Sequence, residues 1–409
     1  MKINDRFLTL CLFSLALLFF YFPILSLAKA EQGDSLFPFI CEDQGKYGFL
    51  SSTGKEVIPC TFNDIWRFGR FGELKIPFAS YFAEGLHPVK VGTLWGYADR
   101  SGTMVIPPTY SLRPDPFSGG LAKVSLPPES GSIAFINKKG ETVFTVPQGT
   151  VVRGAFLSGR IQASDPSSKG AKYGYLGEDG SWAISPRYYG MGDWGDFHEP
   201  VAAAMVEPQR VDTKNGSKVV PPVYKLISRD GVIVSKRSFS CFGAFTDGIA
   251  VACPSDRSEY GYVNMQGEFV IPPRFQKAGD FHDGHAFVVI NDRYALINRE
   301  GTVVFELGSE YPTKNKSGIF YPLPRFSGGL SALFRVVPGE DGKEQQQFVY
   351  LNNLGKVAFP GEFRFGGDFV DGIALVQTEG GAMITSWRGT YIDSSGKSIR
   401  EAAPLIVMP

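Results

Sequence analysis

The chain has 409 residues, with 41 Lys and Arg against 41 Asp and Glu. That balance excludes a basic nucleic-acid footprint over the whole chain, and an acidic tail protein alike. Hydrophobic residues at 43% and charged residues at 20% can bury a core, and the length calls for two or three domains or a repeat array.

Lys2 and Arg6 precede an uncharged stretch, Phe7 to Ala28, that ends in the small-x-small site Ala28-Lys29-Ala30. Charged start, apolar middle and small cleavage-site residues describe a secretory signal peptide over residues 1–30. The stretch could also span a bilayer as an uncleaved anchor; Pro23 and the Ala-x-Ala site favour cleavage. Cys11 follows Leu10 rather than a small residue, which argues against lipoprotein processing. No second apolar run of that length follows, so no membrane span is expected after cleavage. The expected location is periplasmic, secreted or cell-surface. Residues 31–36 form a short lead.

Two signatures then repeat. Phe-x-x-Gly followed by an aliphatic residue stands at Phe82–Gly85, Phe117–Gly120, Phe156–Gly159, Phe245–Gly248, Phe281–Gly284, Phe326–Gly329 and Phe369–Gly372. Phe197 opens the same element with Pro200 for Gly. The Phe residues recur about every 40 positions, a period of repeat arrays. The second signature is an aromatic-Gly pair (Tyr47-Gly48, Trp95-Gly96, Tyr173-Gly174, Tyr260-Gly261), a short β-like run and a polar-x-x-Gly turn. The turns close at Gly54, Gly102, Gly140, Gly180, Gly231, Gly267, Gly301, Gly355 and Gly396. Asp, Asn or Ser stands three residues before each Gly except at Gly177. Such side chains cap a type I turn, and Gly takes the left-handed position that closes a bulged hairpin.

A β-branched pair with proline follows, as at Val57-Ile58-Pro59, Val105-Ile106-Pro107-Pro108 and Val270-Ile271-Pro272-Pro273. Each unit thus reads as three antiparallel strands. Residues 37–400 hold eight or nine units, and 401–409 form a tail. Val219-Val220-Pro221-Pro222 resembles a post-turn strand, so residues 206–240 hold either an insertion or part of an extra unit. No helical window of convincing length appears. The expected fold is all-β, a propeller-like curved ring, with an open β-solenoid as the alternative. The repeated Phe residues should be buried, one per unit.

Four cysteines remain beyond the leader: Cys41, Cys60, Cys241 and Cys253. An even number in an exported chain is compatible with two disulfides. If Asp247-Gly248 is a two-residue hairpin turn, Cys253 faces Phe242 and Cys241 is one residue away, within reach of a small bulge. For Cys41 and Cys60 a linear register puts Cys60 opposite Gly45, about 13 Å from Cys41 at 3.3 Å per residue. The expected pairs are Cys241–Cys253 and Cys41–Cys60. Free thiols at the second pair, or a Cys41–Cys253 bond, are the alternatives.

Phe82-Ala83-Glu84-Gly85-Leu86, Leu94-Trp95-Gly96-Tyr97-Ala98-Asp99 and Val105-Ile106-Pro107-Pro108-Thr109-Tyr110 together resemble the bacterial WG-repeat family. Tyr260-Gly261-Tyr262-Val263-Asn264 through Phe275 is similar. The resemblance covers residues 37–400, although only Trp95 keeps the Trp and the units near 133, 294 and 348 lose the pair. It implies β-rich repeat units, often in exported proteins, and brings no catalytic residues.

Three groups invite a functional reading. The aromatic-Gly residues could line a carbohydrate platform; packing beside a Gly is the plainer account. Glu84, Glu199, Asp247, Asp283 and Asp371, before the repeated Gly or Pro, could form an acidic ring for cations; turn capping is the plainer account. His282 and His285 bracket Asp283 without a third ligand nearby, too little for a metal site. No nucleophile elbow, zinc-protease helix, P-loop or dinucleotide fingerprint occurs. The expectation is an exported, non-enzymatic interaction scaffold with a protein, peptide or polysaccharide ligand, and no cofactor, metal or nucleic acid. A glycan hydrolase or lyase on the same scaffold, or a purely structural surface protein, is the alternative.

Overall fold

The computed structural model describes residues 35–41, 43–65, 82–126, 131–165, 167, 172–191, 197, 200–207, 210–213, 216–219, 223–255, 258–315, 317–339, 342–361, 363–377 and 387–405. The expected signal peptide lies outside them. Among the described residues all regular structure is β-strand, paired antiparallel throughout, and no helix is long and apolar enough to cross a membrane.

One unit shows the pattern. Lys277–Ala278, His285–Ile290, Arg293–Asn298 and Val303–Glu306 form a four-stranded sheet in chain order. The sheets beginning at Asp64–Ile65, Val151–Leu157 and Phe365–Gly366 have the same order. In these four sheets the three-stranded unit expected from the sequence gains a leading fourth strand, while the sheets of residues 37–62 and 122–145 have three. In three of these four sheets it is two residues long, too short to show an alternating pattern. The final strand, Ser398–Leu405, runs past the expected boundary at residue 400.

The interior strands are buried on both faces, so alternate residues serve different neighbours. In His285–Ile290, Ala286 and Val288 pack with Ile249, Tyr262 and Phe275 of the preceding unit. Phe287 and Val289 pack with Phe326, Leu333 and Val349 of the following unit. Nine such clusters join nine consecutive units among the described residues. The ninth joins Phe365, Ile373, Leu375 and Tyr391 to Phe37, Phe39 and Leu50, which closes the ring. The fold is a β-propeller. Phe82, Phe117, Phe156, Phe197, Phe245, Phe281, Phe326 and Phe369 are all buried in these clusters or beside them.

The polar turn also serves the ring. At Gly102 the amide donates to the Asp99 carbonyl at 2.9 Å, and Asp99 Oδ1 accepts from the Ser101 and Thr103 amides. Gly102 has φ +85°, and a Cβ there would stand 2.8 Å from Ile58 Cγ2 of the previous unit. Gly140 meets Ile106 and Gly301 meets Ile271 in the same way, and Gly54 meets Ile399 across the seam.

The proline-bearing strands form the outer edge of the sheets. Val57, Val105 and Val270 point to solvent while Ile58, Ile106 and Ile271 are buried. Proline on an edge removes a donor and blunts pairing with other chains. The short strands sit towards the axis, because their turns touch from unit to unit: Glu84 accepts from the Gly120 amide at 3.0 Å. Residues 206–240 hold an insertion rather than an extra unit. Arg210–Thr213 and Gly216–Val219 make a separate hairpin between Val201–Glu207 and Val223–Ser228, which pair with each other.

Candidate ligand-binding surface

The glycine of each aromatic-Gly pair lies where the outer strand bulges over it. A Cβ on Gly48 would stand 2.5 Å from the Ile58 carbonyl oxygen, and one on Gly261 2.6 Å from that of Ile271. Gly96 and Gly174 face Ile106 and Ile184 in the same way. Trp95 is buried, and Tyr47, Tyr173 and Tyr260 are half-buried. These rings pack along the sheet and do not assemble into one platform.

The tyrosine at the next position, kept even where Val349 or Thr390 stands in place of the glycine, does more than the sequence signalled. Tyr97 packs tilted or edge-on against Phe117 at 4.9 Å, as do Tyr175 against Phe197 at 4.8 Å, Tyr262 against Phe281 at 4.8 Å and Tyr350 against Phe369 at 4.9 Å. Tyr97, Tyr262 and Tyr350 hydroxyls donate to the carbonyls of Asp115, Gly279 and Gly367 in the next unit, and Tyr391 to Pro38 across the seam. Burial pushes the Tyr97, Tyr350 and Tyr391 hydroxyls far above the ordinary phenol range, so they stay protonated donors. The recurring Tyr-Gly-Tyr spelling was the available signal.

The acidic residues do more than cap their turns. Glu84, Asp247, Asp283 and Asp371 occupy the first central position of two-residue turns with φ between 45° and 54°, each followed by a positive-φ Gly. Asx-rich sequences tolerate this left-handed geometry best. Their side chains reach the next unit: Glu84 to Gly120 and Lys138, Asp283 to the Gly329 amide at 3.5 Å, and Asp371 to the Ser35 amide at 3.2 Å. Arg299 stands 3.8 Å from Asp247. Glu199 lies outside the described residues. His282 and His285 form the bridge of their own turn, and the ring Nδ1 of His285 lies 3.0 Å from the Asp283 carbonyl oxygen. Desolvation, with Arg325 adding to it, holds His282 below the usual imidazole range. Among the described residues no three His, Cys, Asp or Glu side chains gather to hold a metal.

Both cysteine pairs are bonded. Cys241 stands directly opposite Cys253, because the register slips by one residue between the Thr246–Ile249 bridge and the Phe242–Ala252 pair. Cys41 and Cys60 have Cα atoms 6.1 Å apart. The linear register fails here because Glu56–Phe62 bulges twice: Leu50 pairs with Glu56, Phe49 with Ile58 and Tyr47 with Phe62. Cys60 thus sits beside Gly48 rather than Gly45.

The residues that break the repeat gather on the end opposite the Phe-x-x-Gly and polar turns. They include the hairpin at 210–219, the long hairpin of Leu330–Pro338 with Glu344–Asn352, and the small hairpin at 313–321. The last carries Phe320 over two lysines. Lys314 Nζ lies 4.5 Å and Lys277 Nζ 5.6 Å from its ring centroid. Lys277 donates to the Tyr260 hydroxyl at 2.7 Å. Lys314 pairs with Asp292 at 2.6 Å, and Gln276 donates to Asp292 Oδ1 at 3.0 Å. The hydrogen bond from Lys314 holds the Asp292 carboxyl below its usual range.

Among solved structures, a eukaryotic initiation factor aligns with 91% of this chain and 96% of its own, at 13% identity and a TM-score of 0.51. The dihydro-heme d1 dehydrogenase NirN aligns with 93% of this chain and 76% of its own, at 12% identity and a TM-score of 0.41. AztD of Citrobacter koseri aligns with 79% and 91%, at 11% identity and a TM-score of 0.34. The first likeness speaks for the fold alone. No curated protein matches the chain. The WG containing repeat matches residues 47–70, 95–126, 260–294 and 350–381, four stretches that each include an aromatic strand and its turn. Four of the nine units thus carry a match to the WG containing repeat.

Proposed function

We propose that the protein is an exported, non-enzymatic scaffold that presents the loop-bearing end of its propeller to a protein, peptide or envelope polysaccharide. The carrying observation is where the repeat is broken. The repeated Phe and Gly residues, and the buried Tyr that recurs beside them, are absorbed by packing between units, while the irregular hairpins collect on one end. Binding functions reside in such loops on a rigid frame. The two cysteine pairs support an oxidising compartment, as does the leader.

Fractionation of cells carrying the native chain, followed by surface crosslinking and mass spectrometry, tests the reading. The expected result is an exported protein with crosslinks concentrated at 210–219, 313–321 and 336–346. A cytoplasmic location, or crosslinks confined to the Phe-x-x-Gly end, would overturn it. Turnover of envelope glycan by the purified protein would overturn the non-enzymatic part.

A further inference from the structure

We propose that Lys277, Tyr260 and Phe320 form a subsite for a uronic-acid unit of an acidic polysaccharide; this names a ligand for the scaffold just proposed and rests on that reading. The three residues come from different places. Tyr260 opens the aromatic strand of one unit, Lys277 starts the first strand of the next, and Phe320 comes from the hairpin at 313–321. That hairpin has no counterpart in the repeat motif.

The charges decide the ligand's sign. Lys314 is neutralised by Asp292, whose position is fixed three ways. Gln276 donates to its side chain, its amide donates to Gln276 at 2.7 Å, and the Thr313 hydroxyl donates to its carbonyl at 3.0 Å. Lys277 meets no carboxylate among the described residues; its ammonium has a phenol and two ring faces for neighbours. The three ionised groups therefore sum to one positive charge. An ammonium has three donors, and the Tyr260 hydroxyl takes one. Because that hydroxyl accepts from Lys277, its own proton is free to donate. The site thus offers ammonium and phenol donors side by side, which suits a single carboxylate.

The apolar part decides the ligand's class. Phe320 is half-buried beside Ile319, which is exposed. Both lysines lie over the Phe320 ring, so exposed Ile319 supplies the apolar surface beside the cation; a pyranose has an apolar C–H face, and a uronic acid carries its carboxylate at the edge of that ring. A peptide C-terminus is the other monoanion to consider, but capture of one uses a nest of backbone amides. Here the donors are side chains. A phosphate dianion calls for more positive charge than this site holds.

The test is calorimetric titration of the oxidised full chain with oligomers of galacturonate, glucuronate and mannuronate. Methyl-esterified galacturonate oligomers and a carboxylate-ending peptide serve as controls. At least one free uronate oligomer should bind, more weakly as salt rises, and the esterified form should not. Lys277→Met keeps the stem and removes the charge; it should weaken binding about tenfold or more, the value of a charged hydrogen bond. Lys277→Arg should restore part of the loss. Urea melts of each variant confirm the fold. Absence of binding to all three uronates would overturn the subsite, as would equal binding of the ester or unchanged affinity in Lys277→Met. Preference for the peptide would overturn it too. In any of those cases crosslinks at the other hairpins would still support the scaffold, so the two readings fail separately.

Discussion

Phe281→Ala tests the packing scheme at a defined joint. Phe281 is 1% exposed and lies between two units, against Tyr262 at 4.8 Å on one side and among Ala286, Val288 and Ile297 on the other. Its turn is held by backbone bonds between His282 and His285, so the strands cannot easily slide in to fill the void. The loss should fall in the range of about 3–5 kcal/mol for a buried Phe cut to Ala. Tyr262→Phe removes only the hydroxyl and orphans the Gly279 carbonyl, at a cost of about 1–3 kcal/mol. Val270→Ala, 48% exposed on the outer strand of the same unit, should stay within about 0.5 kcal/mol of wild type. Urea unfolding with matched m-values measures all three. Tyr262 and Phe281 touch, so their double variant should depart from additivity, by about 0.5 kcal/mol or more. A Phe281→Ala chain as stable as the Val270→Ala chain would refute the placement of the repeated Phe between units.

Gly301→Ala should cost more than Gly284→Ala in the same urea assay: both glycines have positive φ, but only Gly301 would press a Cβ to 2.9 Å from Ile271. Equal losses would remove the case that the turn glycine serves the neighbouring unit. Peptide mapping without reduction should recover Cys41 with Cys60 and Cys241 with Cys253, and reduction of either bond should destabilise by about 3 kcal/mol on loop-entropy grounds. The Asp393 carboxyl is held below its ordinary value first by the Ser395 hydroxyl and then by backbone amides, so by NMR it should titrate below the usual aspartate range. A depressed folded value means its contribution is present above the unfolded value and fades as pH falls through the folded one. Ser395→Ala should move that titration upward, and an unmoved titration would remove the hydroxyl as its cause.

What could be read from residues alone was whatever a short segment decides. Eight of the nine polar turns were legible because a capping side chain and a left-handed Gly lie within five residues of each other. The all-β class followed from the same turns and the Val-Ile-Pro runs. The tie from Tyr262 to Gly279 was not legible, because its partner lies 17 residues on, in another unit. Glu84 misled for the same reason: locally it reads as a turn cap, while its acceptor oxygens face Gly120, 36 residues away. The disulfide arithmetic erred by the bulges in Glu56–Phe62 and between Phe242 and Thr246, which shift a register without leaving a distinct residue pattern. The cluster of Tyr260, Lys277 and Phe320 escaped notice because the hairpin that completes it interrupts the period.

The seam shows what closes such a ring. The first unit, from Phe37–Cys41 to Glu56–Phe62, forms its own three-stranded sheet, and the last strand pairs within its own sheet. No ladder joins the two among the described residues. Closure instead repeats contacts found between other neighbouring units. The Gly54 turn meets Ile399, the Tyr391 hydroxyl meets the Pro38 carbonyl, and Asp371 meets the Ser35 amide. The end units thus need no special device, only the same complementary faces as the rest, which is what a repeat supplies. Among the described residues the first unit has three strands, and it carries the Cys41–Cys60 bond, both cysteines packing against the closing cluster. The bond ties the first strand of that sheet to its third, so it braces the unit from within and leaves closure to the packed faces.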